Sequence, residues 1–182
     1  SALNSFVNYD VGYNNAFWNG AWMTYGDGTG VLNGGFDPLT AQDVCAHEIG
    51  HGVCQTTCAL VYQSESGGMN EGFSDIWGET IEHYASPEKP MWQIGAEIAR
   101  VPLRSMRIPK QYGNPDTYNG TYWVTTGSSC TSSNDYCGVH TNSGVLNKWY
   151  YLLTDGGSGT NDASISYVVG GLGLQKAARI AY

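Results

Sequence analysis

Val44-Cys45-Ala46-His47-Glu48-Ile49-Gly50-His51-Gly52 sets two histidines four positions apart, with a glutamate directly after the first. On an α-helix, four residues turn through about 400° and rise about 6 Å, so both imidazoles leave from one face. That spacing suits two neighbouring positions on a tetrahedral zinc ion. Glu48, one position on, stands beside such a metal rather than on it, where a carboxylate can take a proton from a metal-activated water. A helix over about Ala41–Leu60 provides the scaffold. Pro38, Thr40 and Asp43 read as its start, a capping-box-like arrangement with a carboxylate in the first turn. Gly50 and Gly52 would each cost about 1 kcal/mol relative to Ala in an exposed helix. Their presence predicts a buried helix packed closely against another backbone.

The third ligand must come from elsewhere. After a turn at Ser64–Gly68, a second helix is predicted over Met69–Tyr84, with Phe73, Ile76, Trp77 and Ile81 apolar and Pro87 and Pro90 beyond its end. Glu71 and Asp75 are four apart on it, so both can face the first helix. Glu71 is the expected ligand, and Asp75 can accept a hydrogen bond from a ligand histidine and fix its tautomer. A solvated acidic face is the bland alternative. Unpaired carboxylates on so apolar a helix would be costly. Two histidines, one glutamate and an open position describe a catalytic zinc site, since closed structural sites more often use cysteines.

Outward from these helices, Phe6–Tyr25 reads as short strands and turns, with Ala16-Phe17-Trp18 a candidate edge strand, and Gly26–Gly35 as a loop. Trp92–Ala99 is predicted as a short helix, followed by a proline-punctuated loop through Pro115. Tyr118–Gly138 reads as polar and irregular, and Asn142–Leu153 and Gly171–Tyr182 as helices. The chain has 182 residues, a length that fits one domain or two small lobes sharing one core. Sixteen carboxylates against eight Lys and Arg give a formal charge of -8, which excludes a general nucleic-acid binder. No apolar run is long enough to span a bilayer. Ser1–Asp10 lacks the regions of a signal peptide, so a secreted protein would have had its export signal removed or would carry it outside this sequence. Five cysteines are many for a cytosolic enzyme. Cys130 and Cys137 flank a small polar loop suited to a local disulfide. Cys45, Cys54 and Cys58 lie on or near the first helix, where two could pair or all could be small buried apolar groups.

Six ordered motifs make the chain, from about Tyr13 to Tyr182, resemble the thermolysin family of zinc neutral metalloproteases. They are Asn15-Ala16-Phe17-Trp18, His47-Glu48-x-x-His51, Tyr62 with Glu65-Ser66-Gly67, Asn70-Glu71-x-x-Ser74-Asp75, Leu103-Arg104-Ser105-Met106 and Gly138-Val139-His140-x-Asn142-Ser143-Gly144. The resemblance implies that Glu48 is the general base, that His140 and Tyr62 donate to the oxyanion, and that Asp135 orients His140. It implies that Arg104 binds a substrate carbonyl, and that Asn15 and the backbone at Ala16 and Trp18 hold an extended peptide as an added strand. Val44 and Leu103 would wall the pocket for a large apolar residue after the cut bond. Asp75 would partner His47, and Asn70 would stand near His51. Read without the resemblance, His140 equally suits a core or surface position, Tyr62 packing, and Arg104 a solvated charge.

The implied protein is an α+β, zincin-like catalytic core occupying 1–182, with about 1–60 ending an N-terminal lobe and about 61–182 forming a helical one. Short N-terminal strands lead into the buried active-site helix and a mainly helical C-terminal portion. It would be secreted and extracellular, monomeric, free of membrane and nucleic-acid partners, and made as a precursor with an inhibitory propeptide. Its substrates would be proteins or peptides, cut before large hydrophobic residues with one catalytic zinc. Of the five acidic groups in the family's paired calcium site only Asp43 and Glu82 are matched, Met91, Gln93 and Ala96 taking the other places, so at most one weaker calcium ion is expected. The short Glu97–Leu103 loop removes a further calcium site. The family's N-terminal β-rich region and terminal helices are largely missing, as in a core fragment or a minimal version. Two rivals follow: a fragment that binds zinc and peptide without turnover, and another zinc hydrolase such as an aminopeptidase, which would leave the Arg104 and His140 motifs unexplained.

Overall fold

Three short strands open the chain: β1 (Ser5–Tyr9), β2 (Ala16–Trp18) and β3 (Met23–Gly26). They form a sheet in the order β1-β3-β2, with β1 parallel and β2 antiparallel to β3. Ala16–Trp18 is therefore an edge strand, as the sequence suggests. This computed structural model describes residues 3–125, 127 and 129–182. Residues 126 and 128, within the stretch read as irregular, lie outside them.

Helix α1 (Gln42–Thr57) follows, slightly shorter than expected. The capping box is not formed: Ala41 is the N-cap and no side chain caps it. Asp43 turns elsewhere, its Oδ1 accepting from the Val44 amide at 2.8 Å and its Oδ2 from the Gly95 amide at 2.6 Å. At the far end, Thr56 and Thr57 bond back to the carbonyls of Gly52 and Val53, a contact that favours termination.

Helix α2 (Ser64–Ala85) starts five residues before the predicted Met69. Gly67 and Gly68, read as a turn, are helical because other chain presses on them. A Cβ at Gly67 would lie 2.4 Å from Val139 Cγ1. The two helices also approach each other through glycine. A Cβ on Gly50 would meet Ser74 Cα at 2.9 Å, and one on Gly78 would meet the Asp43 carbonyl oxygen at 2.8 Å. The packing predicted from Gly50 is observed; Gly52 instead faces the Trp18 ring.

The predicted helix at Trp92–Ala99 is absent. In its place β4 (Gln93–Ile94) pairs antiparallel with β5 (Arg104–Ser105). Trp92 and Gly95 take left-handed φ values of 78° and 71°, and their amides donate to Glu79 and Asp43 rather than to helical carbonyls. Then come α3 (Asp135–Asn142), α4 (Gly144–Asp155), an antiparallel hairpin of β6 (Gly156–Thr160) and β7 (Ser166–Gly170), and α5 (Leu174–Ala181). The hairpin was not anticipated, since Gly156-Gly157-Ser158-Gly159-Thr160 carries no strand-forming pattern. No described helix is long and apolar enough to cross a membrane.

Two apolar clusters flank the helix pair. One gathers Met23, Tyr25, Leu39, Val44 and Ile98 beneath the sheet; the other gathers Ile76, Trp92, Met106, Tyr150 and Ala177 among the later elements. A disulfide joins Cys130 to Cys137, while Cys45, Cys54 and Cys58 are free. Of the last three only Cys54 is fully buried.

Candidate metal centre and cleft

α1 and α2 face each other so that His47, His51 and Glu71 converge. Glu71 is fully buried. Its Oε2 lies 3.4 Å from His47 Nε2, and its Oε1 lies 3.4 Å from His51 Nε2. Zinc–ligand bonds of about 2.0–2.1 Å at tetrahedral angles leave the ligand atoms roughly 3.4 Å from one another. Glu71 Oε2 is also a buried oxygen with no hydrogen-bond partner among the described residues. The three donors fit zinc.

Both histidines are backed by polar groups. Asp75 Oδ1 makes a close ionic approach of 2.9 Å to His47 Nδ1, outside hydrogen-bond geometry. Asn70 Oδ1 is 2.7 Å from His51 Nδ1, and the Ser74 hydroxyl is 3.2 Å from the same nitrogen. The Nε2 atoms are thereby left for the metal side. Asp75, fully buried, also accepts from Arg104 Nε at 2.8 Å, Arg104 Nη2 at 2.6 Å and Asn147 Nδ2 at 2.8 Å.

The electrostatics follow from this crowding. Burial alone would raise Glu71, but the imidazoles of His140, His47 and His51 outweigh it and hold the carboxyl well below its usual range. Asp75 is likewise kept low against its burial by Arg104 and His47. Burial disfavours the His47 cation, yet Asp75 and Glu71 push its pKa up to about 10. His51, buried beside His47, falls to about 4. Two ionised buried carboxylates require positive charge beside them; Arg104 supplies it to Asp75, and a cation at the converging atoms of His47, His51 and Glu71 would add to it. Glu48 is buried next to the set, and desolvation, with some help from Glu71, raises it to about 7.

Opposite stand the remaining residues singled out from the sequence. His140 Nε2 is 3.2 Å from Glu71 Oε1 and 3.4 Å from the Tyr62 hydroxyl, which itself donates to Glu71 Oε1. Asp135 grips His140 twice, with Oδ1 2.5 Å from Nδ1 and Oδ2 accepting from the backbone amide at 3.0 Å. His140, Tyr62 and Glu71 border a cleft of about 760 Å³ that also takes in Asn15, Ala16, Trp18, Val44, Leu103 and Arg104, while Asp135 stands behind His140 outside its lining. Arg104 reaches the cleft with Nε and Nη2 bonded to Asp75.

Some contributors escaped the sequence reading. Asn147 supports Asp75 and Ser74 supports His51 through one hydrogen bond each, and only their place on helical faces could have flagged these contacts. Gln55 accepts from the Trp18 indole at 2.7 Å, and Tyr136 packs edge-on to Tyr62 with ring centres 5.6 Å apart.

The two calcium candidates lie apart from this centre. Asp43 and Glu82 meet a third buried carboxylate, Glu79, with ligand atoms within 4.8 Å of one another. Lys89 Nζ is 3.0 Å from Glu82 Oε1 and so brings positive charge to the group. Burial first, then Asp43 and Glu82, raise Glu79 from its ordinary value of 4.5 to about 8. Between those values the native state holds a proton that the unfolded chain releases, so stability is greatest below the window and falls as pH rises through it. Glu79→Gln is expected to remove a loss on the order of a few kcal/mol. Thermal unfolding at pH 5 and pH 8 in chelator checks this; an unchanged pH slope would refute it.

Two family models match the chain: "Thermolysin metallopeptidase, catalytic domain" over residues 1–55 and "Thermolysin metallopeptidase, alpha-helical domain" over residues 58–182. The thermostable neutral protease NprT of Geobacillus stearothermophilus is 44% identical over 188 residues, covering 100% of this chain and 31% of that protein. Bacillolysin of Bacillus cereus is 43% identical over 189 residues, covering 99% and 30%. Among solved structures, a precursor of protealysin from Serratia proteamaculans superposes with a TM-score of 0.66 at 31% identity, covering 83% of this chain and 49% of that one. The chain thus spans about a third of the length of these curated relatives.

Proposed function

Since the chain belongs to the thermolysin family of metallopeptidases, we propose that it is the zinc-binding core of an endopeptidase that hydrolyses protein or peptide substrates. The observation that carries this reading is the pair of 3.4 Å approaches of Glu71 to His47 and His51, with Glu48 beside them. Zinc held by these three residues would supply a Lewis acid and lower the pKa of a bound water. Glu48 takes the proton of the attacking water and later returns one to the leaving amine. His140 and Tyr62 donate hydrogen bonds where negative charge develops on the carbonyl oxygen. Asp135 keeps the His140 Nδ1 proton in place, so that Nε2 faces the reaction.

The substrate lies extended along β2, with Asn15 and the backbone of Ala16 and Trp18 as partners for its main chain. Arg104 Nη1, which none of the described hydrogen bonds uses, is free to meet a substrate carbonyl. Val44 and Leu103, backed by buried Leu39 and Ile98, favour a large apolar residue just after the cut bond. The disulfide fits a secreted, extracellular setting. A propeptide and a monomeric state are further proposals from the family. A calcium ion at Asp43 and Glu82 would have to compete with Lys89.

The test combines metal analysis with substrate choice. About one zinc per chain is expected, with cleavage of internally quenched peptides in preference to amino-acid anilides. A peptide library should show selection for Leu, Ile or Phe after the cut bond. Preference for anilides would support the aminopeptidase reading, and selection confined to the residue before the bond would refute the pocket assignment.

A further inference from the structure

α3 begins in an unusual way. Asp135, Tyr136, Cys137 and Gly138 take φ values of 53°, 48°, 69° and 77°, a complete left-handed turn before the right-handed helix starts. Only Gly138 is suited to this without strain; three residues bearing side chains adopt it against steric preference. Such runs persist where the surroundings over-determine them, and they collect at functional sites. Here the turn sets the distance between Asp135 and His140, whose imidazole and amide that carboxylate holds. It also lays Tyr136 against Tyr62.

The turn is closed by the Cys130–Cys137 disulfide, seven positions apart. Cys130 Sγ is 3.1 Å from the Ser64 hydroxyl, at the first residue of α2. Two turns along the same helix stands Glu71. The cross-link therefore ties the left-handed turn to the element that carries the third metal ligand. Other restraints act on the same turn: the Asn134 side chain accepts from the Cys137 amide at 3.2 Å, the Tyr136 amide donates to the Thr131 carbonyl at 2.8 Å, the Asn134 Nδ2 donates to the Ser129 carbonyl at 2.8 Å, and Thr131 forms a capping box with Asn134.

We propose that the Cys130–Cys137 disulfide is a positioning element for the reaction, holding Asp135–Gly138 left-handed so that His140 is aimed at the edge of the metal site. The inference rests on the endopeptidase reading above. It predicts that the cross-link acts on turnover rather than on zinc or peptide binding.

Three forms of the full-length protein test it: wild type, Cys130→Ser/Cys137→Ser, and Cys130→Ser/Cys137→Gly, in which glycine tolerates the left-handed position. The Ser/Ser variant should lose about ten- to a hundredfold in kcat, the scale of a misplaced catalytic group. Its KM should stay within about twofold of wild type, with zinc content unchanged. The Gly variant should recover part of the loss. Reduction of the folded wild type with a phosphine should repeat the Ser/Ser result. The phosphine gives two electrons to the S–S bond and ends as its oxide with oxygen from water, and both sulfurs end as thiols.

A second readout needs no activity: in histidine-labelled protein, the low-field Nδ1 proton of His140 bonded to Asp135 should be seen by NMR in wild type and be lost or broadened in Ser/Ser. Persistence of that proton in a folded Ser/Ser variant would overturn the inference, as would wild-type kcat in that variant. A wild type that shows the proton but neither binds zinc nor cleaves peptides would instead remove the endopeptidase reading. The cross-link's effect on the proton would still decide whether the disulfide positions His140.

Discussion

Glu48→Gln is expected to lower kcat/KM on a quenched peptide by about 10²–10⁴-fold, the range for loss of a positioned acid–base group. Zinc content should remain at wild-type level. The reason lies in the separation of roles along α1. His47 and His51 present their Nε2 atoms to Glu71, whereas Glu48 is not among the converging donors. It is buried in the cleft wall, where desolvation raises its pKa, a setting that favours proton acceptance near neutrality. Glutamine keeps the size and loses the base. Chelation should abolish wild-type activity, and added zinc should restore it to wild type but not to the variant. Loss of zinc from Glu48→Gln would instead place Glu48 among the ligands. A variant within about tenfold of wild type would remove it as the base.

The candidate metal ligands are legible in the sequence because their spacing is a local property. Four residues on a helix fix His47 against His51 and Glu71 against Asp75 whatever the rest of the chain does. The facing of the two helices could be read from Gly50, whose missing side chain admits Ser74. Turns decided by distant partners were not legible. Gly67 and Gly68 read as part of a turn, but Val139 and Asn142 pack on them. Trp92–Ala99 reads as helical, but Glu79 and Asp43 take the amides of Trp92 and Gly95. The left-handed start of α3 was equally hidden, since only Gly138 among its residues advertises that conformation. Asp43 shows both sides at once. Its sequence position suggested a helix cap, and the structure gives it a second partner fifty-two residues away.

Asp75→Ala should cost about 3–5 kcal/mol of folding stability, the usual effect of removing one partner from a buried ion pair. It should also weaken zinc binding by about 10–100-fold, the scale for losing a carboxylate behind a metal-bound histidine. Both effects share one origin. Asp75 is fully buried and accepts from Arg104 Nε and Nη2 and from Asn147, while standing 2.9 Å from His47 Nδ1. Without it, a guanidinium that is almost enclosed loses its counter-charge, and His47 is free to change tautomer and swing from the ligand position. Arg104→Ala should act on the same network from the other end, leaving two buried carboxylates less well compensated. It should also raise KM through loss of a donor in the cleft. Chemical unfolding of the zinc-free variants isolates the structural part, and zinc titration of the folded proteins isolates the ligand part. Equal losses for Asp75→Ala with and without zinc would mean that Asp75 serves only the fold. A larger loss with zinc present is expected, because the same carboxylate that anchors Arg104 also orients a metal ligand.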